Sequence, residues 1–284
     1  MTGVKRLIAL VILVAVAVGA WFLTRPPAGA DLLLSDVRAT PGASGGASGA
    51  ASAGGAVSPG PGAATITLAI ANSGGPDRMI AVTSPLGTAA IRSSEGVDWL
   101  PIPAGSTPVL STDGAWITLA PDAALAEGQL VPLTLSFERA GPVTTQARVT
   151  AAGAGDDPHA GHAMPGMGDA AAKSPATVQV PQDRPVPTLS IQVSPDGDRW
   201  AVRVETTDFT FNEDMADGPH VPGVGHAHLY LDGVKLQRLY HRDATIGALP
   251  PGSYLVRVTL NTNDHRVYMH KGAPISATAR IETD

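Results

Sequence analysis

The 284-residue sequence contains no cysteine, and only 4% of its residues are aromatic. The lack of cysteine excludes disulfides, thiolate metal sites, cysteine nucleophiles and an N-terminal cysteine that carries lipid. A soft metal could then be bound only through thioether sulfur or imidazole nitrogen. The scarcity of aromatics, against 32 Gly and 25 Pro, leaves little material for one large core. Two small domains joined by flexible segments therefore fit the length better than a single globule.

Charge and motifs exclude further classes of function. The net charge is −6 and no basic stripe is present, so nucleic acid is not expected as a partner. The sequence also has no G-x-S-x-G elbow, no phosphate-binding glycine loop and no H-E-x-x-H motif. We therefore expect a binding protein and not an enzyme.

Residues 1–30 have the features of an export signal. Lys5 and Arg6 precede Leu7–Leu23, a run without charge, and the Ala-Gly-Ala sequence at 28–30 has the form of a signal-peptidase site. The run is also at the short end of what spans a bilayer. A cleaved signal peptide and a retained transmembrane anchor, which would keep the N-terminal segment in the membrane, both remain open. Both place the rest of the chain outside the cytoplasm, in the periplasm or at the cell surface.

The remainder of the chain alternates apolar and polar residues at the period of β-strands. In "TITLAIANSGG" (65–75) the residues Ile66, Leu68 and Ile70 share one face, and "LVPLTLSFERAG" (130–141) repeats the pattern. No amphipathic helix is predicted there. We predict an all-β protein of two small antiparallel β-sandwich or Greek-key domains, cupredoxin-like or immunoglobulin-like, behind an N-terminal hydrophobic helix.

Shifts in composition give the predicted domain boundaries. The first domain covers 31–150, with a flexible low-complexity insertion at 41–62, because a Gly/Ala/Ser tract cannot bury enough apolar surface to order itself. A flexible linker that contains His and Met follows at 151–185. The second, His-rich β-sandwich domain covers 186–284 and includes a hairpin at 226–240, where Asp232-Gly233 suits a two-residue turn.

Four pieces of the first domain carry a family resemblance. They are "SDVRATP" (35–41), "ITLAIANSGGPDRMIAVTSP" (66–85), "LPIPAGSTPVL" (100–110) and "LAEGQLVPLTLSFERAGPV" (125–143), in that order. With them, residues 31–149 resemble the periplasmic copper chaperone family called PCuAC. The resemblance implies a cupredoxin-like Greek-key barrel outside the cytoplasm that holds Cu(I) through His and Met.

The ligands that this resemblance implies are missing from the first domain. Where the family carries two His-x-Met pairs, this chain has "TAAIRSS" (88–94) and "AWITLA" (115–120), with Trp116 and Thr118 in the places of the second pair. Residues 31–150 contain no histidine and one methionine, Met79. Since Cu(I) needs two to four such donors, we expect the first domain to keep the fold but not the family's copper site.

Histidine and methionine concentrate instead in the second half, where all eight histidines follow residue 158. The linker contains "DPHAGHAMPGM" (157–167), with His159, His162, Met164 and Met167. Thioethers favour Cu(I), whereas imidazole accepts either oxidation state of copper and also zinc. Because exposed methionine is open to oxidation, we interpret the cluster as a flexible ligand set for Cu(I) in preference to a solvated linker enriched by chance.

A second cluster lies in "GPHVPGVGHAHLYLDG" (218–233). His226 and His228 are two residues apart on a predicted strand, so both side chains leave the same face. The Asp-Gly turn predicts a pairing in which Leu229 lies opposite Leu236 on an apolar face. The histidines then point away from the core, and the glycines and prolines before them would let His220 fold back towards them.

A third group, "NDHRVYMH" (263–270), adds His265, Met269 and His270, with His265 and Met269 predicted on one side of a strand. Together the second and third groups predict a more ordered site for Cu(II) or zinc. Whether this site and the linker act as one or as two stays open.

The leading hypothesis is an extracytoplasmic protein that captures, buffers or delivers copper through the linker and the C-terminal histidines. Its partners would be the copper ion and a metal-accepting protein outside the cytoplasm. The alternative is a non-metal, envelope-anchored β-sandwich module that mediates protein or cell-envelope interaction. That alternative leaves the crowding of His and Met unexplained.

Overall fold

The computed structural model describes residues 30–42, 62–150 and 177–284, and within these ranges the chain is all-β. In the same ranges no helix is long and apolar enough to cross a membrane. The predicted export signal up to residue 29, the insertion between 43 and 61, and the predicted linker up to residue 176 lie outside the described residues.

Residues 30–150 form what we call the first β unit. Its strands are β1 (Leu32–Pro41), β2 (Ala64–Asn72), β3 (Asp77–Thr83), β4 (Gly87–Ser93), β5 (Leu100–Ile102), β6 (Val109–Leu110), β7 (Ala115–Pro121), β8 (Leu130–Phe137) and β9 (Gly141–Val149).

The pairings of the first β unit arrange its strands in the order β4-β7-β2-β1-β9-β8-β3-β5, antiparallel except for β1 and β9. A tight turn with a bridge between Ser84 and Gly87 brings β4 beside β3, which closes the row of strands. The predicted alternation fills the interior: Ile66 and Leu68 of β2 and Leu133 and Leu135 of β8 belong to one buried cluster.

Residues 177–284 form the second β unit. Its strands are β10 (Thr177–Gln179), β11 (Thr188–Asp196), β12 (Arg199–Thr207), β13 (Thr210–Phe211), β14 (Val224–Leu231), β15 (Val234–Leu239), β16 (Asp243–Ile246), β17 (Gly252–Thr262), β18 (Val267–His270), β19 (Ala273–Pro274) and β20 (Ser276–Thr283). β10 lies inside the segment predicted as linker and pairs in parallel with β18.

Two sheets face each other in the second β unit. One has the order β15-β14-β17-β20, with β18 also paired to β17. The other is the three-stranded sheet β11-β12-β16. Their facing side chains form one buried cluster, to which Val202 of β12, Ile246 of β16 and Val258 of β17 belong.

Strand β14 separates two environments, because its side chains alternate. Ala227, Leu229 and Leu231 point into the core of the second β unit, so the intervening residues lie on the other face of the sheet. The predicted pairing of Leu229 with Leu236 is wrong: a β-bulge between Leu229 and Tyr230 sets Leu229 opposite Gln237. The extra residue shifts the register beyond the turn, which the Asp-Gly signal alone does not reveal.

The polar face of β14 and β15 lies against the first β unit. Val234 of β15 is buried in the first unit's core, and Trp99 of the first unit packs against the second core. The Ser93 hydroxyl donates to the carbonyl of Asp232 over 2.7 Å. At Gly114 the approach is so close that a Cβ would lie 2.0 Å from the carbonyl oxygen of Gly233. The residues of β14 that turn away from their own core are therefore buried all the same.

Candidate metal site

Three histidines of the second β unit converge. One ring nitrogen from each of His226, His228 and His265 lies within 4.8 Å of the others, and among the described residues these form the one such group of three or more His, Asp or Glu donors. Nε2 of His226 lies 3.0 Å from Nε2 of His228. Imidazole nitrogens bind metals at about 2.0–2.1 Å, so two ligands of one ion lie roughly 3 Å apart. The group has the spacing of a metal site.

Strand β14 positions the first two ligands. His226 and His228 are two residues apart on this strand, which is paired on one side with β15 and on the other with β17. His226 is 0% exposed and His228 is 2% exposed. A central strand holds its backbone on both sides, so these two rings start from a rigid frame.

The third ligand comes from the turn between β17 and β18. His265 has a φ of 64°, and its backbone N–H donates to the carbonyl of Thr262 over 3.1 Å. The Thr262 hydroxyl accepts a second bond, of 2.9 Å, from the N–H of Arg266. This turn brings the His265 ring to 4.7 Å from the His226 ring. The prediction that His265 lies on a strand, on the same side as Met269, is wrong, because β18 begins only at Val267.

Burial keeps the two strand histidines neutral. It lowers the pKa of His226 to about 2, with further contributions from the neighbouring His228 and His265. Burial and the nearby Lys235 lower the pKa of His228 to about 4, although Asp113 acts in the opposite direction. Metal ligands must be deprotonated, and at neutral pH both rings are.

The far side of His228 faces one residue from each β unit, Tyr230 and Asp113, and Oδ2 of Asp113 lies 3.6 Å from its Nδ1. Its Nδ1 lies 3.1 Å from the hydroxyl oxygen of Tyr230, and that hydroxyl donates to Oδ2 of Asp113 over 2.7 Å. Burial alone would raise the pKa of Asp113, but Lys235 and His228 outweigh it and hold that pKa well below the usual value. The pKa of Tyr230 is raised, by burial and by Asp113. The pair therefore stays a carboxylate and a protonated phenol.

Each cation around the site is matched by a carboxylate. The ion pairs are Lys235–Asp113 at 2.8 Å, Arg238–Asp217 at 3.4 Å and Arg257–Glu95 at 2.8 Å. Asp217 also contacts Nε2 of His265. With these charges paired, a cation bound by the three imidazoles would not face uncompensated positive charge nearby.

A ring nitrogen of His226 makes no hydrogen bond within the described part of the chain. Nδ1 of His226 is buried and has no hydrogen-bond partner among the described residues. Nearly all buried polar atoms are hydrogen-bonded, so an exception is a departure that needs a reason. Because His226 approaches His228 through Nε2, the unpaired Nδ1 is not the atom of the converging pair.

The other predicted site residues are placed apart from this group or are not described. His220 lies beside Tyr268, with ring centroids 5.7 Å apart, and is not a member of the converging group; nor is His270, at the end of β18. Met269 is buried in β18, opposite Gln179 and Pro274. The linker ligands lie outside the described residues; they are His159, His162, Met164 and Met167.

Sequence reasoning did not include the groups that surround the ligands among the site residues. Tyr230 continues the two-residue spacing of His226 and His228, a signal that could have included it. Asp113 carried no such signal, because 117 positions separate it from Tyr230 and it belongs to the other β unit. Asp217 lies in an acidic loop that resembles many solvated turns.

The first β unit matches a known protein family. Residues 34–149 match the family model described as "Putative lipoprotein LpqE-like". No curated protein matches the chain. The chain's 284 residues include no cysteine that could carry a lipoprotein's lipid.

Solved PCuAC domains align with the same part of the chain. The copper-bound PCuAC domain from PmoF2 is 22% identical, with a TM-score of 0.34, and covers 43% of this chain and 95% of its own. The apo PCuAC domain from PmoF1 is 23% identical, with a TM-score of 0.35, and covers 43% and 96%. The solution structure of CuI-DR1885 from Deinococcus radiodurans is 21% identical, with a TM-score of 0.30, and covers 42% and 78%. The predicted resemblance is confirmed for this segment.

Two residues that bear on the expected loss of a copper site in the first β unit are buried. Trp116 is 5% exposed in β7, and Met79 is 0% exposed in the core of the first β unit. A thioether enclosed by a hydrophobic core is closed to a metal. In the described part of the chain, the converging donors are all in the second β unit.

Proposed function

We propose that this protein binds a copper ion outside the cytoplasm through His226, His228 and His265. The observation that carries the proposal is the convergence of three ring nitrogens within 4.8 Å of one another. Two of the rings are buried and neutral at physiological pH, as a ligand must be.

Two features outside the three histidines favour copper over other metals. Imidazole binds copper in either oxidation state and also zinc, so the three histidines alone do not choose. The resemblance of the first β unit to copper chaperones and the His/Met-rich linker both favour copper. The predicted export signal would bring the protein to a compartment outside the cytoplasm, where it would buffer copper or pass it to an accepting protein.

The linker is proposed as a second, looser site. His159, His162, Met164 and Met167 offer two imidazoles and two thioethers within nine positions, a donor set suited to Cu(I). In this scheme the linker captures Cu(I) and the three histidines hold the ion more tightly.

Chelator competition tests both parts. The full chain, prepared without a histidine tag, is titrated with copper against a chelator of known affinity. The triple variant with His226, His228 and His265 each changed to Asn should lose the tight equivalent, and the variant without the four linker ligands should lose the weaker Cu(I) equivalent. His241→Asn is the matched control, since His241 is exposed and faces Glu213 at 3.8 Å.

The outcome separates this proposal from the non-metal alternative. A triple variant that retains the same stoichiometry and affinity would remove the assignment of the site. Protein isolated without any bound metal, and binding none on titration, would favour a β-sandwich module whose histidines serve only the contact between the two units. Zinc added in competition measures which ion the site prefers.

A further inference from the structure

Asp113 connects the first β unit to the candidate site. It lies on the turn between β6 and β7, where the Ser111 hydroxyl donates to its Oδ1. Its other oxygen, Oδ2, accepts from the Tyr230 hydroxyl over 2.7 Å and from Lys235 over 2.8 Å. Oδ1 is thus held by the turn of the first β unit, and Oδ2 faces the second β unit.

The hydrogen bonds on Oδ2 determine which nitrogen of His228 carries the proton. The Tyr230 hydroxyl has one hydrogen and donates it to Asp113. In its 3.1 Å contact with Nδ1 of His228 the Tyr230 oxygen must then accept, so Nδ1 carries the proton. The lone pair of His228 is left on Nε2, the atom that lies 3.0 Å from Nε2 of His226.

We propose that Asp113 is a positioning residue for the metal site: through Tyr230 it holds His228 in the tautomer whose Nε2 lone pair faces the other two ligands. The inference rests on the proposed function. It gives the first β unit a role in metal binding, since that unit, which offers no converging donor group in its described residues, sets the affinity of a site built from the second. Carboxylates that orient a metal-binding histidine act in this way in general.

The contact between the units reinforces this arrangement. The Arg257 guanidinium lies 4.0 Å from the centre of the Tyr230 ring and pairs with Glu95 of the first β unit. Tyr230 is therefore held at its ring by a cation and at its hydroxyl by Asp113. The two units must be docked for both contacts to exist.

Asp113 could also act by charge alone, because it neutralises Lys235. Two variants separate the mechanisms. Asp113→Ala removes charge and acceptor, whereas Asp113→Asn keeps an acceptor oxygen for Tyr230 without the charge. If Asp113 orients His228, Asp113→Ala should weaken copper binding by about 10–100-fold and Asp113→Asn by less. If charge is the cause, the two variants should lose copper affinity to the same extent.

The double variant Asp113→Ala/Lys235→Met also separates the two mechanisms. It removes both charges, but the hydrogen bonds from His228 through Tyr230 to Asp113 stay broken, so copper affinity should be as low as in Asp113→Ala. Recovery to the wild-type affinity would overturn the proposal. Tyr230→Phe should weaken binding to a similar extent, and adding Asp113→Ala to it should cost little more, because both changes break one chain of hydrogen bonds.

Ser93→Ala is the matched control for the contact between the units. It removes the hydrogen bond that the Ser93 hydroxyl donates across the contact to the carbonyl of Asp232, a bond that involves neither Tyr230 nor a histidine. Copper affinity close to wild type is expected. A loss as large as that of Asp113→Ala would assign the effect to docking in general and would contradict a specific role of Asp113.

A measurement on the metal-free protein tests the inference without copper. Nitrogen-15 NMR of the full chain at neutral pH reports which nitrogen of His228 is protonated. Nδ1 should carry the proton in the wild type, and Asp113→Ala should shift the population towards the other tautomer. A proton on Nε2 in the wild type would end the proposal even if copper binds. The expected tautomer in a chain that binds no copper would instead contradict the proposed function.

Discussion

The two β units differ in what their buried side chains are for. In the first, Trp116 and Thr118 stand where the resemblance implies ligands, and its one methionine, Met79, lies in the core. In the second, a central strand presents His226 and His228 on the face that its own core does not use. The family resemblance thus belongs to one unit and the donors to the other. A fold and its ligands are separable, so a resemblance to a family does not by itself locate a metal site.

The comparison also shows what the first unit contributes. Its turn before β7 provides Asp113, and its neighbouring strand end provides Ser93 and Glu95, all in contact with the second unit. These are contacts behind or beside the ligands and not ligands themselves. The edge of the first unit near the replaced residues is therefore covered by the sheet that carries the histidines.

The largest expected effect is on copper affinity and tests the comparison most directly. His228→Asn removes a ligand from the second unit and should weaken copper binding by more than about 100-fold, beyond what loss of a surrounding hydrogen bond costs. Met79→Leu in the first unit should leave affinity unchanged and alter stability by less than about 1.5 kcal/mol, because the exchange conserves volume. Competition with a chelator and chemical unfolding measure the two quantities. Loss of copper binding in Met79→Leu would show that the first unit does hold the metal.

The next effect is on the contact between the units. Gly114→Ala would place a Cβ 2.0 Å from the carbonyl oxygen of Gly233, and Gly247→Ala would place one 1.9 Å from that of Ala104. Backbone cannot yield easily, so each should destabilise by about 1–3 kcal/mol. Thermal unfolding checks this. Only Gly114→Ala should also weaken copper binding, since it alone displaces the turn that carries Asp113; equal losses in both variants would argue against a local effect.

Stability in the absence of metal should depend on pH because of the buried histidines. The pKa values of His226 and His228 fall from 6.5 to about 2 and about 4 on folding. Below pH 6.5 these two histidines bind protons in the unfolded chain but not in the folded chain. The free energy of unfolding should therefore be highest above pH 6.5 and decrease as the pH is lowered towards 4. Each unit of pKa difference corresponds to about 1.4 kcal/mol.

Urea unfolding between pH 7 and pH 4, with a chelator present, measures this dependence. The double variant His226→Asn/His228→Asn should lose most of it, whereas His241→Asn, at an exposed position, should retain it. If the free energy of unfolding of the double variant changed with pH as it does in the wild type, other groups would cause the dependence. The contribution of Asp113 to the free energy of unfolding is lost only at lower pH, because the pKa of this carboxyl lies well below 3.8 in the folded protein.

The smallest effect is expected at the outer sheet of the second unit. Arg203 and Asp243 form a 2.7 Å ion pair whose side chains are 53% and 71% exposed. Asp243→Asn should change stability by less than about 1 kcal/mol and leave copper affinity as it is. Chemical unfolding and chelator competition measure both, and a larger loss would mean that the site depends on the outer sheet.

Much of the fold followed from local patterns. The strands within 65–75 and 130–141 and the hairpin around Asp232-Gly233 lie where alternation and turn residues predicted them. The face of β14 that carries His226 and His228 was also predictable, because alternation in a strand is a local property. The bulge after Leu229 and the turn of His265 were not, since both depend on how the chain packs with its neighbours.

The sequence by itself determined the all-β class, the lack of cysteine and the placement of all eight histidines after residue 158. Only the tertiary structure decided that His265 joins His226 and His228, and that Asp113 stands behind His228. The physical reason is range: strand alternation and turn preference act over a few residues, whereas the convergence of donors depends on contacts between residues that are far apart in the chain and meet only when both units have folded.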